Sequence, residues 1–336
     1  GTFATSAGGS VTIAADGTFI YTPKANPGLA AVTSDSFTYT VSSNTGGGAA
    51  VSSAPATVSL TLAGRVWYVK NDSAGGNGQS QSTFNTLAAA IAASTANDII
   101  FVYQGSGTAA NLSTASVLKA GQRLIGQGAI LTVNGNNLVM PAGFPLIGGT
   151  VTLASGVTVN GIDMGTGTGN GIVGASVTGV SVTVRDLTST TGTAVSLTGA
   201  GNSGTYVFRS VSSSGGASGI LLQNNTGSFT VTGNSTGSCG GLVVNNSTAP
   251  IAPVLADCTG GTIQNKATGI RLDNVQNVSL TRMRITGTAA SNFGIHGTAV
   301  DGFTLAHSVI DGSIGALAAG QDGPLVFGKR NPAGLN

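Results

Sequence analysis

The sequence predicts an all-β chain whose larger part is a parallel β-solenoid, and three observations predict it. Apolar residues recur at a fixed long period: Leu280 and Leu305 are 25 positions apart, and the same phase runs back through Leu255, Val231, Phe208, Val184 and Val159. A second column, Ile147, Ile172, Val195, Ile220, Leu242, Ile270 and Ile295, advances in step with it, and a period in the twenties is the signature of a repeat architecture. Within each repeat, apolar and small polar residues alternate, as in Val182-Thr183-Val184, Phe229-Thr230-Val231, Val278-Ser279-Leu280 and Phe303-Thr304-Leu305. That is the period of a strand with one buried face. All 11 acidic residues are Asp and 54 residues are Gly, a composition that favours turns over helices. A helix-free unit of about 25 residues buries its apolar face only by stacking on its neighbours.

Residues 1–64 differ from the rest. They read SVTIAADGTFIYTPKA, SDSFTYTVSS and APATVSLTLAG, four alternating strands with Asp16-Gly17 as a tight hairpin turn. The string Asp16, Gly17, Phe19, Tyr21, Thr22, Pro23, followed by Asp35, Phe37, Thr38, Tyr39 and Val41, resembles the cadherin-like, immunoglobulin-type modules of bacterial surface proteins. A sandwich of that kind has about seven strands, so a partial β-sandwich is expected here. The resemblance also implies calcium between modules, with Asp35 as the candidate ligand. Against it stands the reading of Asp16 and Asp35 as turn-setting residues.

Residues 65–105 form the start of the solenoid. Trp67-Tyr68-Val69 and Asp98 to Tyr103 read as strands, with the one convincing helix between them at Thr83 to Ser94. Phe84, Leu87, Ala88 and Ile91 share a face of it, and Ser82 or Thr83 caps its start. A helix laid over the first coil shields the end of the apolar stack. This stretch, with LKAGQRLIGQGAILTVNG at 118–135, resembles the N-terminal cap of secreted bacterial β-helix proteins.

From 106 to 336 the repeat continues at about 25 residues per coil. Apolar-Thr-apolar triplets followed by a turn and Gly-Ile resemble the right-handed parallel β-helix, the pectin-lyase-like fold. With about 4.8 Å per coil, eight or nine coils would form a rod on the order of 40 Å long. Superposed turns stack like residues, which predicts a structural amide ladder through Asn224, Asn246 and Asn274. After Ile310 another coil begins, with Leu317 and Phe327 in phase, and no C-terminal cap is expected before Asn336. Together the two parts resemble the adhesin-like bacterial surface proteins that join cadherin-like modules to β-helices.

Charged residues are 7% of the chain and the net charge is +2, with basic residues dispersed, which argues against a nucleic-acid partner. No apolar run reaches the roughly 18 residues of a membrane span. Cys239 and Cys258 are 19 positions apart, less than a coil, so they do not share a column. The sequence leaves open whether they form a disulfide or two buried thiols.

The fold also carries polysaccharide lyases and glycosidases, so a catalytic constellation was sought. Two positions past the first column stand Asp186, Ser210, Gly233, Asp257, Arg282 and His307. Asp257, Arg282 and His307 are expected on consecutive coils, the best cluster the chain offers. It holds one carboxylate where glycosidases need two, and a stacked ion pair beside an imidazole explains it. Arg271 and His296 share a further column near Asp273. Two histidines 11 positions apart without Cys or Glu make a poor metal set, so no cofactor is expected.

The expectation is therefore a non-enzymatic extracellular or cell-surface protein, a stalk, adhesin or fibre segment. Its partners would be surface glycans, cell-surface proteins, further modules of the same polypeptide, or its own copies joined head to tail, the solenoid's last coil or the tail Gly323 to Asn336 completing the next subunit's partial sandwich. The alternative is a polysaccharide-active β-helix enzyme or a carbohydrate-binding module.

Overall fold

The structure, a computed structural model, describes residues 1–22, 34–43, 50–62, 64–234, 236–242, 253–315 and 322–328. The chain divides into two compact units, Gly1–Arg65 and Val66–Asn336.

In the first unit, Thr2–Ala4, Ser10–Ile13 and Phe19–Thr22 form an antiparallel sheet. Ser34–Tyr39 pairs with Ala56–Thr61, and Ser42–Ser43 with Val51–Ser52. Seven short strands thus stand where the sequence showed four. The three additions are two or three residues long, too short to show alternation. The Asp16 side chain sets the hairpin turn by accepting bonds from Thr18 Oγ1 at 2.6 Å and Thr18 N at 2.9 Å, and Gly17 supplies the positive φ of 85°. Val11 and Phe37 form the buried centre. Pro23 of the sequence motif lies outside the described residues.

The second unit is a parallel solenoid, with 19 strand segments joined in one continuous pairing network. Each coil visits three ladders in turn. The first ladder begins at Val66–Val69, Ile99–Val102 and Arg123–Gly126 and carries one unbroken inward column. It runs Trp67, Ile100, Leu124, Val159, Val182, Tyr206, Phe229, Val278 and Phe303. Alternation forces this: from Val159 onward the residues between them point outward and are mostly Ser and Thr. The third ladder carries Val151, Ile172, Val195, Ile220, Ile270, Ile295 and Leu325. Between them, the second ladder holds Ile147, Met164, Leu187 and Val211, then Ile263, Ile285 and Ile310.

Several register expectations need correction. Val159 pairs with Val182, and Ile162 takes the place opposite Val184, because Gly161 adds a bulge at φ 72°. Ile147 belongs to the second ladder, and Val151 holds its expected place in the third. Leu255 and Leu242 occupy no coil: Val231 pairs directly with Leu280, and Ile220 with Ile270. What looked like a coil of its own is an excursion within 232–260, described over 232–234, 236–242 and 253–260, leaving one coil after Val231 and returning at Gly261–Gln264. Its re-entry is tight. A Cβ at Gly260 would collide with the Thr281 carbonyl, and one at Gly261 with the Val211 carbonyl. At the far end Leu325, in Gly323–Gly328, continues the third-ladder column. Phe327 pairs with Gly297 rather than following Phe303 on the first ladder, although the Phe303 and Phe327 rings meet at 5.0 Å. Leu317 lies outside the described residues.

The N-terminal end is closed. Tyr68 N donates to Gly78 O, Phe84 N to Tyr68 O and Lys70 N to Phe84 O, so the outer edge of Val66–Val69 already has its partners. Because Phe84 is extended there, the helix starts later than expected, at Leu87–Ala93. Thr86 is its N-cap, accepting from Ala89 N at 3.1 Å. It buries Leu87 and Ala90 and leaves Ala88 exposed. A hairpin, Leu131–Val133 with Asn136–Val139, lays Leu131 over the outer face of the first coils against Ile99, Phe101 and Ile125. This is why Ile99–Val102 is buried on both faces.

Two substitutions separate what the stack needs. Phe208→Ala, opening a cavity between Val184 and Val231, is expected to cost about 3–5 kcal/mol in denaturant unfolding. The Tyr206 hydroxyl is buried without a hydrogen-bond partner, so Tyr206→Phe is expected to leave stability unchanged or raise it.

Candidate functional site

The corner between the first and second ladders holds Gly233, Arg282 and His307, all left-handed at φ 62°, 57° and 51°. Arg282 N donates to Ala306 O, which places His307 one coil beyond Arg282. Arg and His are uncommon at positive φ, and what holds them there is the excursion. Arg282 Nε donates to Gly237 O at 2.8 Å; His307 Nδ1 lies 2.8 Å from Ser238 Oγ; Cys239 N donates to His307 O at 3.0 Å. A side chain at Gly233 would run into that of Arg282.

Asp257 is not a coil residue. It belongs to the returning limb of the excursion and packs on Gly237, so closely that Gly237 could carry no Cβ. The structure thus gathers Asp257, Arg282 and His307 around one peptide, but by a loop folded over two coils rather than by three stacked turns. The Ser238–His307 pair has the composition of a nucleophile and base. Nearby backbone donors that would stabilise an oxyanion are already engaged, Cys239 N with His307 O and Gly240 N with Val254 O.

Cys239 and Cys258 form a disulfide, which decides between the two readings left open above. Beyond it, Gly241–Leu242 and Pro253–Val254 pair as the neck of a hairpin.

The predicted amide ladder is present in two rungs. Asn274 Nδ2 donates to Asn224 Oδ1 at 2.9 Å, and Asn224 Nδ2 to Gly199 O at 2.9 Å. Both residues are left-handed, a conformation Asn tolerates. Asn246 lies outside the described residues, and Gln223 pairs directly with Asp273, leaving no coil for a middle rung. Arg271 and His296 are in register as expected.

Sequence reasoning missed a charge ladder at the same corner on earlier coils. Arg185 grips Asp163 with two guanidinium nitrogens, Arg209 grips Asp186 in the same way, and Ser210 Oγ donates to Asp186 at 2.7 Å. Arg185 also lies 3.9 Å over the Phe144 ring. Burial would raise the Asp186 carboxyl, but bonds from Arg209 and Ser210 and the charges of Arg209 and Arg185 outweigh it and hold it below the usual range. Arg284 and Asp311 repeat the motif, with Nε and Nη2 about 3 Å from the carboxylate. The signal was available, since Asp163, Arg185 and Arg209 are spaced by 22 and 24.

Asp35, the calcium candidate, is 3% exposed. Its carboxylate accepts from Thr5 Oγ1, Ser6 Oγ, Ala7 N, Tyr21 OH and Ser36 N. Burial pushes its pKa up, but these donors together hold it far below the ordinary range. Donors converging from five groups suit a structural anion rather than a ligand for a cation. The Tyr21 phenol is correspondingly pushed up to about 12 by burial and by Asp35. Among the described residues no group of three or more His, Cys, Asp or Glu side chains could hold a metal ion.

Lys266 is also buried, with Nζ donating to Gly192 O at 2.8 Å, and desolvation lowers its pKa to about 8.

Residues 1–61 match the family model described as a Bacterial Ig domain, a domain typical of surface and extracellular proteins. No curated protein and no solved structure matches the chain. No helix among the described residues is long and apolar enough to cross a membrane.

Two pH effects follow. Asp35 is depressed when folded, so its contribution is present above the unfolded value of about 4 and lost as pH falls below it. Melting of the first unit should shift down in acid, and Asp35→Asn should remove that dependence while weakening the unit at neutral pH. For Lys266 the folded value is about 8 against 10.5 ordinarily. The unfolded chain therefore holds more protons between these values, and stability should rise with pH across that window. In Lys266→Met, urea midpoints between pH 7.5 and 10.5 should lack this part of the rise.

Proposed function

We propose that this chain is a non-enzymatic extracellular protein of a bacterial surface, acting as a stalk, adhesin or fibre segment that requires no bound cofactor. The observation that carries the reading is the coupling of a Bacterial Ig unit to a long solenoid whose best chemical cluster is engaged in structural bonds. Arg282 is held by the Gly237 carbonyl and His307 by Ser238 and Cys239. The ionised ladder residues neutralise one another along the coil corner. A disulfide adds support for an oxidising compartment.

Mechanically, backbone ladders running coil to coil give stiffness along the stack, while corners and excursions carry the variable surface available to glycans or proteins. Self-association, where it occurs, would use the edge of Gly323–Gly328 rather than that of Val66–Val69, since the latter is filled by the Gly78 and Phe84 segments. The acceptor would be the first unit, where Ile13, Phe19, Phe37, Tyr39, Val41 and Val58 line an apolar cleft of about 640 Å³.

Incubation with a panel of acidic and neutral polysaccharides should release neither reducing ends nor unsaturated uronate absorbance. Products that appear with the wild-type chain and vanish with His307→Asn would overturn the non-enzymatic reading. Light scattering with electron microscopy tests the assembly. Unbranched fibres with a one-subunit axial repeat support head-to-tail joining, and a monomer at all concentrations removes it.

A further inference from the structure

The excursion 232–260 does more than interrupt a coil. It leaves the coil of Val231, where Gly233 N donates to Arg209 O, and then crosses the next two coils in sequence. Its Gly237 carbonyl receives Arg282 Nε on the first of these. On the second, Ser238 and Cys239 bond His307, and Gly240 abuts the Val309 side chain so closely that it could carry no Cβ. Three successive coils are therefore tied by one segment.

In a solenoid each coil touches only its neighbours, so a group of coils can open locally while the others stay closed. We propose that the excursion is a disulfide-locked strap that holds these late coils closed, and that reduction of Cys239–Cys258 releases them while leaving the earlier coils intact.

The disulfide closes the base of the hairpin just where the strap touches the coils. Cys239 is the very residue that donates to His307 O, and its sulfur is 4% exposed beneath the strap. With the bond in place, residues 237–240 have one conformation from which to make four contacts. Without it, ordering them requires fixing the whole excursion, an entropy cost that grows with the length of the open loop.

Release consumes an external dithiol. One thiolate attacks the half-buried Cys258 sulfur, and Cys239 leaves as a thiolate and takes up a proton. The second thiol then attacks the mixed disulfide, freeing Cys258 as a thiol and closing the reagent to a cyclic disulfide.

The proposal rests on the fold alone and stands whether or not the surface role does. Its test is amide hydrogen exchange on the full chain, oxidised and after dithiothreitol, with alkylation and intact mass confirming two free thiols. Exchange should speed up at least tenfold in Met283–Ser291 and Phe293–Ala306 and stay unchanged in Thr158–Gly165 and Val180–Ser189. Unaltered protection in the late coils after full reduction would overturn the proposal, as would an equal loss along the whole solenoid. A second variant weakens the strap without touching sulfur: Arg282→Asn with His307→Asn keeps residues that accept positive φ but removes both side-chain anchors, leaving the Cys239 N bond and the Gly240–Val309 packing. It should show a smaller local loss at the same strands with the disulfide intact, and wild-type protection there would count against the strap.

Discussion

Everything in the larger unit depends on one constraint, that a residue facing inward on one coil must find an inward-facing residue of compatible size one rung away. Parallel pairing enforces it, because a shift of one residue would turn Phe208, Phe229 and their column outward and Ser and Thr inward. The constraint explains the small registry adjustments as well as the regularity. Gly161 bulges so that Ile162 can meet Val184, and Gly260 and Gly261 let the chain rejoin between neighbouring carbonyls where no side chain would fit. Insertions are placed accordingly. Both large ones, the hairpin over the first coils and the excursion at 232–260, leave from the ends of ladder strands, where adding residues disturbs no inward position.

The same constraint shapes the electrostatics. Corner residues on successive coils are held about one rung apart, so a charge repeated at each coil would repel itself and an alternating one is attracted. Asp163, Arg185, Asp186 and Arg209 follow the second pattern. Such half-exposed pairs add little stability individually, but they order the corner and leave few ionised groups available for other chemistry. Polar side chains in the interior are bound where the corner permits it. Asn202 accepts from Val177 N and donates to Thr198 O and Gln223 O. One coil later Asn225 lacks any partner, a local price of stacking polar residues in a dry core.

The coils differ from one another chiefly in what is added to them. The excursion turns an otherwise ordinary pair, Arg282 and His307, into anchors for a neighbouring segment, in place of the stacked ion pair beside an imidazole that the sequence suggested. The Ig-type unit contributes a different element, a small sandwich pinned by Asp35, whose five donors tie Thr5, Ser6, Ala7 and Tyr21 to the strand that carries it.

By itself the sequence determined the β-solenoid, the Ig-like start, the capping helix and the presence of Asn224 and Asn274 in one amide column, though not their direct contact, because these follow from periodicity and turn chemistry that each segment expresses locally. It could not reveal that the stretch carrying Leu242 and Leu255 belongs to no coil. The excursion is slightly longer than one repeat, and Leu242 and Leu255 imitate the column phase, so counting places them inside. Only tertiary pairing, in which Val231 hydrogen-bonds beside Leu280 and Ile220 beside Ile270, shows the coil closing without them. For the same reason Asp257 was assigned to a stack it does not join, and Ser238, which meets His307 across 69 positions, was invisible. The physical reason is shared: alternation records which face a residue shows, whereas which strand lies beside it depends on hydrogen bonds between segments distant in the chain.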